Sequence, residues 1–123
     1  MNITITTIPH GAQRYPTAGD WQFDENGNLT ITVSNMGHWR NEFLVALHEM
    51  VEAAMCKQDR ISQEQVDHFD MTWEPQDDLS EPGDDPRSPY HLHHVVALAI
   101  EYGVGAALGV DMGKHEEALD ALG

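Results

Sequence analysis

His48 and Glu52 stand four residues apart within the stretch Trp39 to Lys57, and the segment His48-Glu49-Met50-Val51-Glu52 concentrates groups able to do chemistry. On a helix such a pair lies one turn above the other, so imidazole and carboxylate share a face. Glu49 falls about 100° round from His48, near enough to reach over anything the other two hold. Farther along, His94 and Glu101 are seven residues apart, two helical turns, and also share a face. Glu101 interrupts the apolar run VVALAI-E-YGVGAALGV, where an unpaired buried carboxylate is expensive. If the two faces meet, His48, Glu52, His94 and Glu101 converge. Imidazole with carboxylate suits zinc first, with manganese or iron as alternatives. In that arrangement His48, Glu52 and His94 hold the metal, and Glu101 is a fourth ligand or stands behind one. Glu49 is then the general base that takes a proton from coordinated water. The plainer reading of the same residues is a helical surface pair on one helix and a Glu101–Arg40 ion pair on the other.

The elements that must position these groups follow from pattern. Asn2 to Ile8 alternates isoleucine with threonine and reads as a strand ended by Pro9. Trp21–Phe23 and Leu29–Val33 flank a segment containing Asn26-Gly27, the strongest short-range hairpin signal. The spacing predicts a small antiparallel sheet of two or three strands over residues 1–36, with Leu29, Ile31, Val33, Trp21 and Phe23 facing helices. A helical part over 37–123 follows. In the first helix Phe43, Leu47, Met50, Val51 and Ala54 form the expected buried stripe, with the His48 face at its border. Ser62 and Gln65 make a capping box for the second helix, with Ile61 and Val66 as its hydrophobic staple. Residues 74–89 are rich in proline and acid and read as a solvated loop. Ser88-Pro89 is expected to start a third helix, apolar on nearly every side from Val95 to Val110 and hence buried. Gly109 ends it, and Asp111 to Leu122 forms a short last helix. The fold expected is one α+β domain over 1–123, the sheet packed on about four helices.

Composition narrows the function. The 123 residues include 21 acidic and 6 basic side chains, for a formal charge of −15. Phosphate contacts need lysine and arginine, so direct nucleic-acid binding is not expected. A chain this acidic could instead capture a basic host protein, provided Asp59 to Asp85 forms a continuous exposed face. One cysteine allows no internal disulfide and fits a reducing compartment. There is no signal-peptide pattern, and the Val95–Val110 run is too short to span a bilayer, so the expectation is a cytoplasmic protein off the membrane. The substrate, or the host protein bound, is not specified by the sequence, and self-association is left open.

Two stretches, ALHEMVEAAMCKQDRISQEQVDHFD and EPGDDPRSPYHLHHVVALAIE, resemble a family of small phage and prophage proteins. The shared features are Leu-His-Glu-x-x-Glu at 47–52, Val-Asp-x-Phe-Asp at 66–70, Pro-Gly-Asp-Asp-Pro at 82–86 and the His94/Glu101 helix. A sheet followed by a His-Glu-x-x helix is also similar to the core of zincin metalloproteases, with Glu52 where those enzymes carry a second histidine. That likeness implies a zincin-like, metal-dependent hydrolase. A competing likeness lies in Glu49-x-x-Glu52 followed by Asp67-x-x-Asp70, which is similar to the magnesium pattern of all-α nucleoside triphosphate pyrophosphatases and would imply four carboxylates around Mg²⁺.

Overall fold

The computed structural model of the chain describes residues 1–75, 79 and 81–123. Its sheet grows from the Asn-Gly hairpin. β2 (Gly19–Phe23) and β3 (Leu29–Ser34) are joined by a turn in which Gly27 has φ 78°. The Asp24 carboxylate accepts hydrogen bonds from the backbone N–H groups of Asn26 and Asn28, both at 2.9 Å. β1 (Ile3–Ile8) takes the other edge of β3, giving the order β1-β3-β2. β2 is antiparallel to β3, but β1 runs parallel to it, with Ile5 opposite Ile31. The sheet is therefore mixed where an antiparallel one was expected. A chain that leaves β1 and enters β2 at the same end of the sheet must descend through β2 and return through β3 beside β1.

Four helices follow: α1 (Trp39–Gln58), α2 (Gln63–Thr72), α3 (His91–Ala107) and α4 (Met112–Asp120). Trp21, Leu29, Ile31 and Val33 of the sheet meet Val45, Ala46, Ala53 and Cys56 of α1 in the core. α1 lies mainly over β2 and β3, so Ile3 and Ile5 of β1 remain half exposed. The α2 capping box forms as expected: Gln65 N–H donates to Ser62 Oγ at 3.1 Å and Ser62 N–H to Gln65 Oε1 at 2.9 Å.

Both site-bearing helices turn an unexpected side inward. The buried residues of α1 include Leu44, Val45, His48, Glu52 and Cys56, whereas Phe43 of the expected stripe is 49% exposed. α1 is held between the sheet and α3, and it is the flank toward α3 that carries His48 and Glu52. α3 likewise buries His93, His94, Ala97, Glu101 and Gly105 while Leu92, Val96 and Ile100 are exposed, so its apolar surface is not a core surface. α3 also begins later than Ser88-Pro89. The Ser88 hydroxyl accepts from Tyr90 N–H inside the preceding turn, and Tyr90 is the N-cap residue.

The acidic loop is only partly what its composition suggests. Asp77 and Asp78 lie outside the described residues, but Asp85 is 2% exposed. It accepts from the Arg87 guanidinium and, at 3.1 Å, from Trp73 Nε1. A single 3-10 turn at Pro82–Asp84 packs on α3. Among the described residues no helix is long and apolar enough to cross a membrane.

The register of α1 is directly testable. Leu44, with none of its surface exposed, should lose about 2–5 kcal/mol of stability on Leu44→Ala. Phe43→Ala should lose no more than about 1 kcal/mol, as expected for a side chain still half in water. Urea denaturation midpoints of the two variants check this, and a larger loss from Phe43→Ala would contradict the orientation described.

Candidate metal centre

α1 and α3 bring three nitrogen and oxygen atoms to one point. His48 Nε2 lies 3.2 Å from Glu52 Oε2 and 3.1 Å from His94 Nδ1, and the last two are 3.3 Å apart. Ligands of a tetrahedral zinc, each about 2.0–2.1 Å from the ion, stand about 3.3–3.4 Å from one another. The three atoms thus outline one face of such a tetrahedron. All three residues are buried, and all line a cavity of about 330 Å³ reached between α1, α2 and the Pro82–Asp84 turn.

The atoms that face away from this point are each held by a partner. Glu101 accepts from His48 Nδ1 at 2.7 Å through Oε1 and from His115 Nε2 at 2.6 Å through Oε2. His115, only 1% exposed, pairs through Nδ1 with Asn41 Oδ1 at 2.9 Å. On the other imidazole, His94 Nε2 lies 3.0 Å from Asp84 Oδ1 and 3.3 Å from Glu81 Oε2. Trp21 Nε1 donates to Glu52 Oε1 at 3.2 Å. A neutral His48 that donates from Nδ1 to Glu101 leaves the Nε2 lone pair at the convergence point. A neutral His94 that donates from Nε2 to Asp84 leaves Nδ1 there. Carboxylates behind both imidazoles therefore select the tautomers a metal requires.

The charge balance points the same way. Burial pushes the His48 pKa down, yet hydrogen bonds to Glu101 and Glu52 override it and raise it to about 10. Burial is again outweighed at His94, by Asp84 and Glu52 first, and its value rises to about 12. Burial would raise Glu52, but the two histidines bring it down to about 2. The carboxylates around the two rings thus favour positive charge at the centre, which a bound cation would also supply.

Two glycines make room for this arrangement. A Cβ on Gly83 would sit 2.5 Å from Cγ and Nδ1 of His94, so only glycine lets the 3-10 turn close over that ring. A Cβ on Gly19 would sit 2.6 Å from Cγ of Glu49. Glu49 therefore lies against β2, half-buried on the same cavity, and its carboxyl has no hydrogen-bond partner among the described residues. Burial, then the charge of Glu52, raise its pKa well above the ordinary carboxyl range.

Of the residues singled out from sequence, His48, Glu52 and His94 meet directly. Glu101 does not join them; it meets His48 on the other ring nitrogen, at 2.7 Å. Nor does it pair with Arg40, whose guanidinium lies 5.0 Å from the Trp39 ring centroid. His91 Nδ1 contacts the Gly83 carbonyl at 2.8 Å, and His93 Nε2 pairs with Asp59, so neither reaches the centre. His115, Glu81 and Asp84 were not anticipated. The Pro-Gly-Asp-Asp-Pro segment was a usable signal for Asp84, whereas nothing in spacing links His115 to the other histidines. Glu49, Glu52, Asp67 and Asp70 all border the cavity, as the magnesium pattern requires. Asp67 is nevertheless clamped by Arg14 at 2.9 and 3.0 Å, and both Asp70 oxygens accept phenol hydroxyls, from Tyr15 at 3.0 Å and from Tyr90. No protein-family profile, curated protein or solved structure matches this chain.

Asp70 supplies a pH test. Burial raises its pKa to about 6, more than the two phenol donors lower it. The folded value exceeds the unfolded one, so the stability gained from the protonated form is complete below about pH 4 and lost as pH rises through about 6. Asp70→Asn removes that loss. Relative to wild type, the variant should gain roughly 1–2 kcal/mol at about pH 8 and nothing at about pH 4. Thermal melts at both pH values check it, and a variant less stable at the higher pH would show that the Asp70 charge is compensated.

Proposed function

We propose that this protein binds one divalent transition metal, zinc in the first place, through His48, Glu52 and His94, and acts as a zincin-like, metal-dependent hydrolase. The single observation that carries the reading is the convergence of Nε2, Oε2 and Nδ1 at 3.1–3.3 Å, with a carboxylate behind each imidazole fixing the tautomer. Three protein ligands beside an open cavity are the pattern of catalytic sites, since structural zinc sites close the fourth position with protein. Zinc held there would act as a Lewis acid and bring the pKa of a coordinated water toward about 7. The chain's own residues supply the rest. Glu52 is held in place by the Trp21 indole, His48 by Glu101 and His94 by Asp84. Glu49, one position along the helix from His48 and without a hydrogen-bond partner among the described residues, accepts and returns the proton.

The alternative of an acidic protein that captures a basic host factor needs a continuous exposed run of carboxylates. Within that run Asp67 pairs with Arg14, and Asp85 is buried under Arg87 and Trp73. This distribution favours the metal reading.

Metal analysis of protein purified without a histidine tag tests it. The wild type should take up about one equivalent of Zn²⁺, and His48→Ala should abolish uptake. Glu101→Gln should weaken affinity about 10–100-fold, the usual consequence of losing a group that orients a ligand. Glu49→Gln should bind metal normally. A wild-type chain that stays metal-free after dialysis against Zn²⁺, Mn²⁺ and Fe²⁺ refutes the reading.

A further inference from the structure

We propose that Asp70, held between the phenols of Tyr15 and Tyr90, anchors the ammonium or guanidinium group of a cationic substrate in the cavity beside the metal centre. The inference rests on the hydrolase reading of that cavity and names the class of substrate it takes. Its basis is the way charges are matched around the site. Three neighbouring carboxylates are given cations: Asp20 and Asp67 share Arg14, and Asp85 has Arg87. Asp70 is given only neutral donors, the hydroxyls of Tyr15 and Tyr90, and no cationic partner among the described residues. A half-buried carboxylate arranged in this way is costly unless something positive comes to it.

The remainder of the cavity supports the same class of ligand. Its lining includes eight carboxylic side chains and no lysine or arginine. One divalent ion would cancel two of those charges and Arg14, outside the lining, one more, so the interior stays negative. Such a cleft concentrates cations and repels phosphate or carboxylate groups. The rings of Tyr15, Tyr90 and Trp21 give it aromatic walls, against which a cation gains further attraction. The two phenols also fix the Asp70 carboxylate in position before any ligand arrives, which limits the ordering cost of binding. The volume of about 330 Å³ is at the small end of ligand cavities, enough for one long basic side chain with its flanking backbone. Two sources share this chemistry: the lysine or arginine side chain of a peptide, and a small alkyl diamine.

Calorimetric titration separates the outcomes. The probes are the acetylated, amidated tripeptide Ala-Lys-Ala, its norleucine counterpart of equal length without charge, and 1,5-diaminopentane. Each is titrated at low ionic strength into zinc-loaded protein of measured metal content and into protein held with chelator, for wild type and Asp70→Asn. The lysine peptide is expected to bind at least about tenfold more tightly than the norleucine peptide, and Asp70→Asn should erase the difference while leaving zinc content unchanged. Binding of the diamine alone, with the same dependence on Asp70, upholds the cation anchor and assigns it to small amines. Equal affinity for the two peptides without diamine binding overturns the proposal, as does a preference that survives Asp70→Asn. Should Asp70→Asn not fold, Tyr15→Phe, which removes one of the two hydroxyls on Asp70, must still change the lysine preference. The two readings fail separately. A lysine preference in a chain that takes up no zinc leaves the anchor standing and removes the hydrolase, whereas zinc uptake without preference does the reverse.

Discussion

Two helices that meet through charged side chains must satisfy every polar atom at their contact, and much of the structure follows from meeting that demand between α1 and α3. Glu52 needs a donor for its second oxygen and takes it from Trp21 in β2. Glu101 needs two donors, and the second, His115, brings in α4. His94 needs an acceptor on its outer nitrogen and draws in the turn that carries Asp84. The sheet, the last helix and the loop before α3 are each tied to the centre by one hydrogen bond of this kind. Removing one partner leaves a buried charge without compensation, which costs more than the pair itself contributes. The same demand explains Gly83 and Gly19. At both positions a side chain would occupy the place of a group the centre uses.

What could be read from the sequence was whatever depends on local geometry. Asn26-Gly27 gave the hairpin, Ser62 with Gln65 gave the start of α2, and Gly109 marked the end of α3. The two matched faces, His48 with Glu52 and His94 with Glu101, could be set opposite each other because helix spacing fixes which residues share a side. Orientation was less legible. Hydrophobic patterning assumes that apolar means inward, and both site helices violate that assumption because their contact is polar. α1 accordingly turned its Phe43 side outward, and α3, apolar nearly all round, offered no pattern that could orient it. The direction of β1 depended on which edge of β3 was free, a non-local choice that alternation does not record. His115 was out of reach for a similar reason. Its link to Glu101 exists only because α4 folds back across α3.

The acidic loop shows why composition cannot substitute for placement. Proline and aspartate at 82–86 look like solvated loop residues. Yet Asp84 meets the outer nitrogen of the buried His94, and Asp85 ties Arg87 and Trp73 together behind it. A carboxylate in such a segment does structural work when a buried donor lacks any other acceptor. His94 Nε2, enclosed by the 3-10 turn, is a donor of that kind, and both acceptors it finds among the described residues, Asp84 and Glu81, come from this loop. The acid content of this region is thus partly a consequence of having placed histidines in the core.

The remaining negative charges follow a different logic. Glu49 and Asp70 lie half-buried on the cavity with no salt bridge among the described residues, whereas Arg14 pairs with Asp20 and Asp67. A chain selected only for stability would not leave them so, because burial raises the pKa of each and ionising them costs folding free energy. Local rules of this sort are broken where a site needs the unsatisfied group. On the proposed function, Glu49 would serve as a proton acceptor beside a metal. Asp70, on the proposed substrate class, would meet a positive charge that arrives with the substrate. Both groups sit on the wall shared with His48, Glu52 and His94, so the stability they sacrifice is confined to one cavity, the one into which the two buried histidines of α1 and α3 converge.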